Sequence, residues 1–333
     1  MKKTLLLAAI ASAFAAPAMA ENTIYGDFRL SMLTGDLNAA DGSNLSVVNN
    51  ASRLGLKGSQ GDGNLKAIYH IQMGAQNDGT GAKTADDSGT ALTSRFYFAG
   101  LQGGFGKVIY GRLSTPYKMT GVKQDPFYDT SAGPGNGGSN YGYSSLINGF
   151  TNNSMAYYSP NMGGLSFNAS VSIDDTAEDN HGMGIGVEYK AGGMKFGVNH
   201  LMIDDEAATS TVAGSDGLDS ATRVYAGAKM GALVANLSYE MLAKTAGGDD
   251  ATLLNVNAAY NATSSMKLAF SYAQVEDGIG TTGLNASGDN VTAGAFVKVL
   301  PKTTVHALYS ATDYDAATAA DRDGIAIGVK QQF

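Results

Sequence analysis

Residues 325–333 read IAIGVKQQF, and the sequence ends on Phe333. Counted in twos, Ile325, Ile327, Val329, Gln331 and Phe333 share one parity, while Ala326, Gly328, Lys330 and Gln332 share the other. One set is mostly apolar and the other polar or small, which is the pattern of a strand with two unlike faces. The same alternation recurs throughout. TIYGDFRLSM sets Ile24, Phe28, Leu30 and Met32 against Tyr25, Asp27, Arg29 and Ser31. LSFNASVSI at 165–173 and LVANLSYEM at 233–241 repeat it.

The first residues explain how such a chain reaches its destination. MKKTLLLAAIASAFAAPAMA has two lysines, a short apolar run and Ala18-Met19-Ala20, which predicts a secretory signal peptide over 1–20 and a mature chain from Glu21. With no cysteine, an exported chain has no disulfides to rely on. No later apolar run approaches the roughly 18 residues of a spanning helix. The 44 glycines and six prolines show no collagen period, and a net charge of −8 argues against nucleic acid as a partner.

Short turns at 60–64, 102–106, 160–164, 191–193, 261–265 and 300–302 alternate with longer polar stretches such as 34–48, 77–90, 204–220, 277–288 and 313–323. About sixteen strands with asymmetric connections predict an all-β fold, a transmembrane antiparallel β-barrel over 21–333. Of the 30 acids, 25 fall in the long connections or at their edges, leaving Glu21, Asp27, Asp62, Glu188 and Glu240 elsewhere. The strands instead keep bases such as Arg29, Arg53, Lys57, Arg95, Lys267 and Lys298, mostly on the polar parity. A Lys or Arg facing lipid at mid-membrane costs roughly 2–4 kcal/mol, so these side chains are expected to face inward, into water. Arg112 and His200 break the parity of their strands, through either a bulge or a place near the membrane rim.

Residues 114–152 form a connection too long for an ordinary loop. Pro126, Phe127, Tyr128 and Tyr141 call for a packing surface, which an inward fold into the barrel would supply.

The ordered motifs SRLGLKG (52–58), GLQGGFGKVIYGR (100–112), STPYK…DPF and YYSPNMGGLSF (157–167) resemble the general diffusion porins of Gram-negative outer membranes. The resemblance implies a homotrimer of sixteen-stranded, water-filled barrels, each narrowed by its third loop. It implies a pore constriction with Asp125 and Asp129 facing Arg53 and Arg95, with Lys57 and Arg29 nearby. A third family arginine has no counterpart at Asn152 and Asn153, and Asp27 stands where a lysine is common. Phe333 is similar to the outer-membrane assembly signal read by the barrel-assembly machinery, although Gln331 departs from its usual pattern.

Other chemistry has little support. GPGNGG at 133–138 matches a dinucleotide pattern formally, but polar loop flanks it instead of a strand and a helix. His70, His181, His200 and His306 lack ligand spacing, and no G-x-S-x-G occurs, so neither an enzyme nor a cofactor is expected. Acid doublets such as Asp86-Asp87 and Asp249-Asp250 could hold divalent cations that bridge loops to lipopolysaccharide. The expected function is passive diffusion of small hydrophilic solutes and ions, with an anion- or sugar-selective channel as the alternative.

Overall fold

The structure is a computed structural model that describes residues 20–35, 37, 45–62, 64–75, 92–131, 149–173, 181–203, 218–245, 249–278, 286–315 and 321–333. The leader expected over 1–20, apart from Ala20, and the GPGNGG stretch lie outside them, as do residues 132–148 of the long connection.

The strands are β1 (Ala20–Gly35), β2 (Leu45–Asn49), β3 (Arg53–Asp62), β4 (Leu65–Ala75), β5 (Leu92–Gly103), β6 (Gly106–Leu113), β7 (Thr151–Tyr158), β8 (Leu165–Ile173) and β9 (His181–Ala191). They continue as β10 (Met194–Met202), β11 (Leu218–Met230), β12 (Leu233–Lys244), β13 (Ala251–Asn261), β14 (Met266–Glu276), β15 (Gly288–Leu300), β16 (Thr303–Tyr314) and β17 (Arg322–Gln332). Each pairs antiparallel with its neighbours, and β17 pairs back onto β1, so the sheet closes. β3 pairs with the first half of β1 and β2 with the second, so the two are successive stretches of one strand line. Sixteen lines therefore go round the barrel, and part of the 34–48 stretch expected as loop is strand. A further short turn, between β11 and β12, escaped the sequence reading.

The alternation becomes two faces. Ile185 (64 % exposed), Ile327 and Phe196 point outward, while their neighbours point in. Phe333 continues the outward row: its N–H donates to Gly26 O, and its ring lies 6.0 Å from that of Phe28. A Cβ at position 26 would overlap the Phe333 ring where it stands, so a larger residue there would displace that ring. No helix among the described residues is long and apolar enough to cross a membrane.

The inner face is less uniformly polar than the parity predicts. Toward the long-loop end, β10–β14 carry Leu201, Leu242, Leu253 and Val275, all fully buried. A wall against which a polypeptide segment packs needs apolar area as well as charge.

Candidate functional site

Beyond β6 the chain turns into a short helix, α1 (Pro116–Val122). Thr115 caps it, its side chain accepting the Lys118 N–H at 3.2 Å, and Pro116 fills the first helical position, where no N–H is needed. Thr-Pro is a helix-start signal, and the sequence reading passed over it.

The segment is tied to the inner face of the barrel at several places. On β11 and β12, Arg223 and Glu240 are directly paired and fully buried. Arg223 donates to Glu240 Oε1 (2.9 Å) and to the Tyr117 carbonyl (2.6 Å), and Tyr117 donates its hydroxyl to Glu240 Oε2 (2.8 Å). The guanidinium also lies 4.1 Å from the Tyr117 ring centroid. Thr120 donates to Asn199 of β10 (2.6 Å), and Asn236 of β12 donates to the Gln124 carbonyl (3.1 Å). Two opposite charges at matching register on inward parity were the available signal for this anchor.

Farther along, Lys267 of β14 donates to the Pro126 carbonyl (3.4 Å). Phe127 is wholly buried among Leu33, Leu37, Val48, Ala269, Leu308 and Ala326. Truncation to alanine would open a cavity where the segment is seated, at a cost of roughly 3–5 kcal/mol. Phe127→Ala is therefore expected to lower the urea midpoint in lipid vesicles if the segment unfolds with the barrel. If it detaches alone, the gain will appear in protease sensitivity near residue 127.

Asp129 lies near the end of the described segment, which runs to Ser131. Its Oδ2 accepts from Arg29 Nη1 at 2.8 Å and also from Arg53 Nη2. Its φ of +58° is left-handed, a region that aspartate tolerates better than most residues. Arg29 is also held by Asp27, through Nε at 3.0 Å and Nη2 at 2.6 Å, so the acid at this position offsets one wall charge. Arg53 and Arg29 reach the segment beside the β2–β3 break. There Asn50 donates to Ser31 (2.5 Å) and accepts from Ser131, and Ser52 accepts the Arg29 backbone N–H (2.9 Å). Irregular strand of this kind re-aims side chains next to sites.

The other expected residues separate. Asp125 Oδ1 accepts the Phe127 N–H at 2.8 Å, which shapes the turn, and the residue borders a cavity of about 500 Å³ with Arg29, Lys267, Lys298 and Lys330. Arg95 lies at a register shift between β4 and β5, which turns it to the inner side despite its strand parity with Tyr97. It donates to Gln72 Oε1 (2.9 Å), and its guanidinium stands 4.7 Å from the Phe150 ring centroid. Lys57 is nearer the short turns, 5.6 Å from the Tyr25 ring centroid. The two parity exceptions have different causes. Arg112 follows a shift at Gly111, whereas His200 keeps regular register two residues from the end of β10. Arg112 donates to Asn152 Oδ1 (2.8 Å), placing a guanidinium beside the position where the family arginine is missing.

Lys118 of α1 lies 4.4 Å from the Phe150 ring centroid and donates to the Gly149 carbonyl. Burial foremost, then the charge of Arg95, brings its pKa down to about 7, against the opposing pull of Asp129. Tyr128 is pushed up to about 12 by burial and by Asp129. Lys118 carries its positive charge below pH 7 and loses it above. Anion preference of any passage along this segment is therefore expected to fall between pH 6 and 8. Reversal potentials of wild type and Lys118→Met test this, and the variant should show no such step.

Among the described residues no cluster could hold a metal ion. Of the acid doublets, Asp249-Asp250 is exposed, while Asp86-Asp87 lies outside the described residues.

A closed sixteen-line barrel with an apolar outer belt and charged residues on its inner face defines an outer-membrane channel-type barrel. The family model for Gram-negative porins matches residues 6–317, and the chain belongs to that family. It is 32 % identical to the major outer membrane protein P.IB of Neisseria meningitidis serogroup B over 204 residues, 58 % of this chain and 57 % of that one. An outer membrane porin protein of Bordetella pertussis is 30 % identical over 54 % of this chain and 50 % of its own. The matched stretches thus span less than two thirds of these relatives. Among solved structures, the anion-selective porin from Comamonas acidovorans superposes with a TM-score of 0.72 at 18 % identity, covering 94 % of this chain and all of that one. Salmonella typhi OmpF in complex with daunomycin gives 0.72 at 16 % identity over 95 % and 98 %.

Proposed function

We propose that this chain is a general porin: exported by a leader over residues 1–20, it forms a passive, water-filled pore for small hydrophilic solutes and ions across the outer membrane. The observation that carries this reading is the pairing of Asp129 with Arg29 and Arg53 on the inner face. It supports residues 114–152 as an inward loop that narrows the pore. A fixed array of charges in a narrow passage favours hydrated solutes and resists apolar ones. No catalytic role is proposed for any residue.

A homotrimer is supported by family membership, and one similar structure is titled a trimer form of Vibrio cholerae OmpT. The outward Phe333 is proposed as the signal read by the barrel-assembly machinery, and lipopolysaccharide as the lipid that meets the long loops.

The alternative of an anion-preferring channel gains from one count. Near the segment Arg29, Arg53, Arg95, Lys118 and Lys267 stand against Asp27, Asp125 and Asp129. With Asp129 shared by two arginines, positive charge is left over, and we assign a mild anion preference.

Liposome swelling tests the diffusion reading. Uncharged sugars should enter at rates that fall smoothly with size. Uptake of one sugar alone, or of none, would contradict a general pore.

A further inference from the structure

Toward the short-turn end, the inner face of β3–β6 carries a surface that passive diffusion of hydrophilic solutes does not require. Lys57, His70 and Phe98 are directly paired in one row round the wall. Ile68, Gly100 and Ile109 form the next row toward the turns. Gln102 and Lys107 form the one after that. Gly100 is packed against Ile109 and lines no space itself; the Phe98, Ile68 and Lys57 side chains instead border a recess with the Gln102–Lys107 row. The result is a cavity of about 330 Å³ bordered by Lys57, Ile68, His70, Phe98, Gln102 and Lys107, within the size range of small-molecule pockets.

The aromatic wall is fixed in orientation. Phe98 meets His70 edge-on at 5.5 Å and Phe96 edge-on at 5.9 Å. His70 is stacked on Phe96 at 5.1 Å and is held by the Tyr25 hydroxyl, 2.6 Å from its Nε2. Phe96 has a packing role, since it contacts Phe150. Phe98 packs against the cluster of Ile109, Leu113 and Ala156 and also borders the cavity. The rim is cationic. Lys57 and Lys107 form no ion pair among the described residues, and Glu21 is the one acid bordering the cavity. Lys107 lies 4.2 Å from the Tyr158 ring centroid.

An aromatic face beside two lysines suits a flat ring that carries a negative charge. A neutral sugar would leave both lysines unused, and a simple inorganic anion would leave the ring face unused. We propose that this recess is a weak binding site on the solute path for small aromatic carboxylates, with the ring on Phe98 and the carboxylate at Lys107 and Lys57. The proposal rests on the porin reading for its place on a path, but binding itself does not need conduction.

Calorimetric titration of detergent-solubilised protein with benzoate tests it, with benzamide, acetate and glucose as comparisons. Benzoate is expected to bind at least tenfold more tightly than each of these. Phe98→Leu and Lys107→Gln should each weaken benzoate about tenfold while keeping the gel mobility of the folded barrel. Equal binding of acetate and benzoate, tighter binding of glucose, or an unchanged Phe98→Leu titration would overturn the site. In planar bilayers, benzoate added on the short-turn side should shorten open times in wild type but not in Phe98→Leu. Absence of any conductance would instead overturn the porin reading, leaving calorimetry to decide the recess.

Discussion

Replacing Glu240 by alanine is expected to remove roughly 3–5 kcal/mol from the anchoring of the 114–131 segment. The figure is the usual cost of removing one charge of a buried ion pair, and here the charge that loses its carboxylate is that of Arg223, which is 0 % exposed. Tyr117 also loses the acceptor for its hydroxyl. Such a pair is weak evidence for stability in itself, because desolvation offsets much of its attraction. Its value lies in placement: only one position of α1 satisfies the Tyr117 carbonyl, the Tyr117 hydroxyl and Thr120 together. In single-channel records Glu240→Ala should give noisy, variable openings and a lower closing voltage. The double replacement Arg223→Met with Glu240→Met leaves no orphaned charge and should recover most of the lost stability, but not the quiet trace. A Glu240→Ala channel as quiet and stable as wild type would show that the anchor is dispensable.

Asp129→Asn should change selectivity more than stability. Asparagine keeps the size of the side chain and tolerates the left-handed φ of +58°, so the substitution isolates the charge. Arg29 still has Asp27, whereas among the described residues Arg53 keeps the Ala51 carbonyl at 2.9 Å and whatever the new amide oxygen accepts. At about 10 Å and an effective dielectric of about 40, one added unit of positive charge is worth roughly 0.8 kcal/mol to a passing ion. That is about a fourfold gain for an anion and a fourfold loss for a cation, so roughly a fifteenfold rise in anion over cation permeability. The shift should be largest near 0.1 M salt and fade toward 1 M, where the screening length falls to about 3 Å. A shift toward cations, or one indifferent to salt, would mean that ions do not pass this pair.

How much of this was legible in the sequence follows from what period two can encode. The alternation of Ile325, Ile327 and Val329 places a strand and its lipid-side face, and short and long connections set the number of strand lines. Bulges are invisible to parity. Arg95 shares the parity of outward Tyr97, yet a register shift turns it in, and the break at residues 50–52 sets β2 apart from β3, so that β2 reads as part of the preceding loop. The residues that hold the segment were legible only in part. Phe127 was recognised as needing a partner, but its pocket draws on Leu33, Leu308 and Ala326 from strands far apart in sequence. Arg223 and Glu240 read as two ordinary inward charges until β11 and β12 are laid side by side. The aromatic recess was missed because Phe98 is unremarkable on its own strand, and the platform appears only when three neighbouring strands are in register.

An open, charge-lined pore has a distinct electrical signature. Purified protein in a planar bilayer, under a salt gradient, is expected to give large conductance steps in groups of three. Its reversal potential should have the sign of mild anion preference. A membrane that takes up the protein and passes no current would contradict the account.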